Sequence, residues 1–133
     1  MTRFVRNDDQ AASGAKYIKL TITGVHGTYS WSYSNASLIL GGETGQVEIE
    51  LKNETSDGSS ATIFNYASTG ITETCSPIKS FELPPGGNLA ILTIGLLRHQ
   101  LIDFGVFVKM THGRKETTLF CDPQASNDPV KNF

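Results

Sequence analysis

Between Gln46 and Lys52 the chain alternates without exception. Val47, Ile49 and Leu51 are apolar, and Glu48, Glu50 and Lys52 are charged. Successive side chains point to opposite faces only on a strand, so this period of two predicts a strand with one buried and one wet face. The pattern recurs. Ile18, Leu20 and Ile22 share a face, as do Phe104, Val106, Val108 and Met110, with Phe107 and Lys109 on the other side. Turn signals separate such segments: Gly24–Gly27, Asp57-Gly58, Pro84-Pro85-Gly86-Gly87 and His112-Gly113-Arg114. No stretch sustains an apolar period of 3.6. The expectation is an all-β chain folded as a two-sheet antiparallel β-sandwich of roughly eight to ten short strands, of the jelly-roll or Ig-like Greek-key kind.

The 133 residues read as one domain, 1–133, able to bury a core without staples. Residues 1–15 read as a polar N-terminal arm and residues 122–133 as a loose C-terminal tail. Ile71 to Cys75 reads as a weak strand. Leu89 to Leu97 is apolar on both faces and is placed centrally between packed layers, and Leu97 to Asp103 suits a single helical turn.

Tyr29, Trp31 and Tyr33 alternate with Ser30, Ser32 and Ser34. After the Gly24–Gly27 turn this aromatic ladder pairs naturally with residues 18–22 as a hairpin. A strand buries at least one face, and serine is the poorer candidate for burial, so the aromatic face is read as core. Its alternative is an exposed platform for stacking against sugar rings or for sitting at a lipid headgroup boundary.

Composition excludes several functions. The net charge is −2, so no basic surplus exists to neutralise phosphates and nucleic acid is not expected as a partner. No apolar leader follows Arg3 and Arg6, and the longest apolar run is far below the ~20 residues of a spanning helix. The protein is therefore read as cytoplasmic or as secreted without a leader. Cys75 and Cys121 form no Cys-x-x-Cys motif and are read as reduced, buried thiols rather than a bridge.

No catalytic constellation emerges. Glu48 and Glu50 are explained by the alternation of their strand, and no Gly-x-Ser-x-Gly elbow frames any of the serines. His26, His99 and His112 are scattered. His26 and His112 fall in turns that two sheets could bring to one end, but nothing supplies the further ligands of a zinc site. No metal and no cofactor are expected, and the chain is read as a non-enzyme.

One local stretch resembles the aegerolysins, small β-sandwich proteins that bind membrane lipids. Gly105-Val106-Phe107 is followed by Leu119-Phe120-Cys121-Asp122-Pro123, similar to their Gly-x-Phe strand and the return strand ending in Cys, Asp and Pro. The likeness covers about twenty residues, lacks the tryptophans of that cluster, and implies only fold.

The function expected is a non-enzymatic binding protein for a glycan or a membrane-lipid headgroup, lectin-like or cytolysin-like. The alternative is a structural, self-assembling subunit of capsid-like type. A membrane surface and a second copy of the chain are the further partners left open. The candidate ligand-binding residues are Tyr17, His26, Trp31, Asn53, Asp57, Phe107, His112 and Arg114. Among them the turns at 24–27, 53–59 and 112–114 and the outward Phe107 are favoured over the ladder.

Overall fold

The computed structural model describes residues 2–6, 17–34, 37–40, 45–69, 76–95 and 101–121. In chain order these form β1 (Thr2–Arg6), β2 (Tyr17–Gly24), β3 (Ser30–Tyr33), β4 (Ser37–Leu40), β5 (Gly45–Thr55), β6 (Ser60–Ser68), β7 (Ile78–Glu82), β8 (Leu89–Ile94), β9 (Leu101–His112) and β10 (Lys115–Cys121). The chain is all-β, with no helix among the described residues, and the strands lie in two sheets.

One sheet has the order β3-β2-β5-β8-β7. In the other, β9 is the central strand. β6 pairs with one of its edges, while β10 and β1 share the opposite edge end to end. β10 takes Val106–His112, β1 takes Leu101–Phe104, and β4 lies beyond β1.

The alternations determine which faces meet. Ile18, Leu20, Ile22, Val47, Ile49, Leu92 and Ile94 from the first sheet are buried with Ile102, Phe104, Val106, Val108 and Met110 from β9 in a single apolar cluster. Burying such side chains contributes about 1.5–3 kcal/mol each. This cluster is the main reason a chain of short strands holds together. The aromatic ladder of β3 faces it, since Tyr29, Trp31 and Tyr33 are half-buried against the cluster while Ser30, Ser32 and Ser34 are exposed. At the other end, Tyr66 of β6 lies between Phe104 (5.8 Å) and Phe81 of β7 (4.7 Å), so aromatic rings join the two sheets there.

Four expectations need correction. The pairing is not purely antiparallel: β2 pairs with β5, and β1 with β4, in parallel. A parallel neighbour needs a crossover, and the chain makes one by leaving the first sheet after β3, forming β4 in the second, and returning as β5 beside β2. The N-terminal arm is in part a strand, because Thr2–Arg6 is paired on both edges, by β9 and β4. The helical turn fails over its last residues, since Leu101–Asp103 opens β9. There β1 claims one backbone edge, while Thr69 on the other donates its N–H to the Asp103 carbonyl (3.0 Å) and accepts from the Asp103 N–H through its hydroxyl (2.9 Å). The apolar segment at Leu89–Ile94 is an interior strand, between β5 and β7, but is not buried on both faces, since its outward Leu89 and Ile91 are only half-buried. The expected weak strand at 71–75, the tail at 122–133 and Cys75 fall outside the described residues. Cys121 is buried at the end of β10.

Candidate functional site

Three turns meet at one end of the sheets: the β2–β3 turn, the β5–β6 turn and the end of β9. The β2–β3 turn closes through the Thr28 N–H on the Val25 carbonyl (2.9 Å). It depends on Gly24, whose φ is +94°, and a Cβ there would sit 2.4 Å from the Thr28 carbonyl oxygen. Of the expected residues, His26, Asn53, Asp57 and His112 are brought together here.

Asp57 is the centre of the cluster. Its Oδ2 accepts the His26 backbone N–H (2.8 Å), and its Oδ1 accepts the Ser59 N–H (3.1 Å) and the Ser59 hydroxyl (2.6 Å). The His112 Nε2 lies 3.6 Å from Oδ2. The Ser59 hydroxyl, with the His26 and Ser59 backbone N–H groups and the His112 imidazole, stabilises the ionised carboxyl and lowers its pKa to about 2. A carboxylate only accepts, so the Ser59 hydroxyl donates to it. The Tyr29 hydroxyl, 2.7 Å from the Ser59 oxygen, must then donate in turn.

This direction of donors has a chemical consequence. Ser59 is buried, gives its proton toward a carboxylate, and has no imidazole as its base. That is a turn-holding hydroxyl and not the arrangement of an activated nucleophile. Asn53 is committed similarly. Its Nδ2 donates to the Ser59 carbonyl (2.6 Å), while its Oδ1 accepts from the Thr55 N–H and hydroxyl. Asn53 therefore closes its own turn and Asp57 fastens that turn to its two neighbours, and what they leave facing solvent is the stacked pair of His26 and His112, ring centroids 5.8 Å apart. Arg114 is exposed in the adjoining hairpin turn. No three His, Cys, Asp or Glu side chains among the described residues are grouped to hold a metal ion.

A second surface lies on the outer face of the β6-β9-β10 region. Phe107 of β9 is directly opposite Phe120 of β10, with ring centroids 4.7 Å apart, and Phe64 of β6 lies 6.1 Å away on the other side. Phe64 is 41% exposed, and its neighbours in the row are half-buried. Two local devices build the row. A bulge between Ile63 and Asn65 lets Ile63 and Tyr66 both point inward while Phe64 and Asn65 both point out. Gly105 makes room for Phe120, since a Cβ there would meet the ring's Cε1 and Cζ at 3.0 Å and the Cys121 carbonyl oxygen at 2.9 Å. The Lys109 ammonium stands 5.9 Å from the Phe64 ring centre, on the outward side.

The remaining expected residues do not join either place. Trp31 is half-buried against the core. Tyr17 lies on the outer face of the other sheet. Its hydroxyl is hydrogen-bonded to Glu50, which together with the charges of Glu50 and Glu48 holds the phenol above its ordinary pKa. His99 falls outside the described residues. Phe64, Phe120 and Gly105 were missed by the reading of the chain.

The chain matches no protein-family model and no curated protein sequence. The stretches similar to the aegerolysins, 105–107 and 119–121, lie side by side on β9 and β10, and both Phe107 and Phe120 belong to the exposed row.

Proposed function

We propose that the protein is a non-enzymatic binding module of β-sandwich architecture that rests its outer phenylalanine face on a lipid headgroup boundary. The observation that carries this reading is the row Phe64–Phe107–Phe120, in which the central Phe107 ring adjoins the other two on the outer surface of the sheet. Tyr17, Val25 and Leu83 are also exposed, but Phe64 adjoins two further rings, and contiguous rather than scattered exposed apolar area marks an interaction site.

The ring chemistry favours lipid over glycan. Sugar sites combine an aromatic face with placed hydrogen-bonding groups, and phenylalanine has no polar tip. The Asn65 Oδ1 beside the row already accepts the Tyr66 N–H (2.9 Å). A row of phenyl rings bordered by Thr62, Thr118 and a lysine matches the edge between hydrocarbon and headgroups. The engaged, buried Ser59 hydroxyl supports the non-enzymatic part of the reading.

Co-sedimentation with phosphatidylcholine vesicles tests it. The wild type is expected to pellet with vesicles, and Phe64→Ser, a change at the most exposed ring, is expected to reduce pelleting at least severalfold with an unchanged melting temperature. Binding on a glycan array without vesicle binding would move the site to the sugar class. A concentration-dependent rise in size on a column, lost in Phe64→Ser and without vesicle binding, would favour the self-assembling subunit.

A further inference from the structure

We infer that this face selects membranes that expose anionic headgroups, with Lys109 as the residue that meets the headgroup phosphate or carboxylate; the inference rests on the lipid reading above. Lys109 is two residues beyond Phe107 on β9, so both side chains leave the same face about 7 Å apart. Its ammonium is 5.9 Å from the Phe64 ring centre. A lysine stem laid along an apolar surface holds its charge at the rim of that surface. Rings seated at the hydrocarbon edge would therefore place the Lys109 charge at headgroup depth.

Arg114 is exposed in the turn at the end of the β9–β10 pair; Lys115, opposite His112, leaves the other face, and Glu116, opposite Thr111, shares the outer face with Thr118 and Phe120. Among the described residues no carboxylate lies within ion-pair distance of Lys109, Arg114 or Lys115. The outer face of the other sheet differs. There Lys52 is paired with Glu54 at 3.2 Å, and Glu48 and Glu50 flank Lys19 across the parallel β2–β5 pairing. The chain carries a net charge of −2, yet Lys109 stands beside the phenylalanine rings with no carboxylate within ion-pair distance among the described residues. That complementarity argues for an anionic lipid surface over a neutral one.

The test compares the full chain on vesicles of phosphatidylcholine alone and vesicles with roughly a third phosphatidylserine. Each cation that reaches an anionic surface strengthens partitioning about fivefold. The wild type is expected to prefer the mixed vesicles by about tenfold or more at low salt, with the preference fading as salt is raised. Lys109→Gln is expected to cut the ratio of partition to mixed over phosphatidylcholine vesicles about fivefold. Lys79→Gln, on β7 of the other sheet, should leave that ratio unchanged. Equal partition to both vesicles overturns the anionic selection and leaves the phenylalanine reading standing. Equal losses from Lys109→Gln and Lys79→Gln would overturn the assignment to this face. No partition to either vesicle overturns both.

Discussion

The imidazoles of His26 and His112 stack with their planes 14° from parallel, one carried by the β2–β3 turn and the other by the end of β9. Tyr29 meets His26 edge-on at 6.2 Å, and Asp57 lies against both turns through the His26 N–H and the His112 ring. Three connections distant in sequence are thereby tied at one end of the fold. The polar residues that first suggest a ligand site there are consumed in tying them.

The stack itself should be measurable. His112 is 44% exposed at its side chain, which weakens any ring contact. A double-mutant cycle with His26→Ala and His112→Ala, read by chemical denaturation near neutral pH, is expected to give a coupling of about 0.5 kcal/mol, the low end for aromatic pairs. A coupling of zero would mean that the rings lie together without holding the turns.

Asp57 supplies a pH dependence of definite sign. Its carboxyl ionises at about 2 in the fold, against an ordinary value of 3.8. A depressed carboxyl contributes stability that is complete above the unfolded value and is lost as pH falls through the folded one. The melting temperature should therefore drop between about pH 4 and pH 2, and part of that drop should be missing in Asp57→Asn, which starts lower at pH 7. Parallel acid profiles for the two proteins would sink this account.

Much of this was legible in the chain. The inward sets Ile18/Leu20/Ile22, Val47/Ile49/Leu51 and Phe104/Val106/Val108/Met110 are all buried as their alternation predicts. The β2–β3 hairpin follows from its turn signal. Two of the three rings of the phenylalanine row were within reach, because the two-residue turn Gly113-Arg114 sets His112 opposite Lys115 and so brings Phe107 opposite Phe120. Phe64 was not, since strict alternation over 61–66 cannot foresee a bulge that turns Phe64 and Asn65 out together. Thr2–Arg6 was hidden for a different reason: its place in the sheet comes from backbone pairing on both edges, which composition does not encode. By type and turn position Asp57 suggests a ligand residue, whereas its role depends on partners in two other turns.

Trp31 offers a test of the inward ladder. It is half-buried against the core rather than enclosed by it. Trp31→Ala is expected to cost about 2–3 kcal/mol in denaturant unfolding, less than the ~3–5 kcal/mol of a fully buried aromatic. Vesicle binding by the protein that remains folded should be unchanged, because the ladder and the phenylalanine row face opposite sides of their sheets. Near-normal stability with lost binding would return Trp31 to the surface.

Gly105 joins fold and surface at a single position. It is buried on β9, beneath the Phe120 ring and beside the Cys121 carbonyl. Gly105→Val should destabilise by about 1–3 kcal/mol through overpacking, and it should push Phe120 away from Phe107, weakening vesicle binding in the fraction still folded. Removing the ring identifies the cause. In Gly105→Ala, the added Cβ presses on both the Phe120 ring and the Cys121 backbone, and only the first pressure disappears when Phe120→Ala is added. The double variant should therefore be more stable than the sum of the single changes predicts, without returning to the wild-type value. Strict additivity would show that Phe120 does not rest on Gly105, and the spacing of the row would then need another explanation.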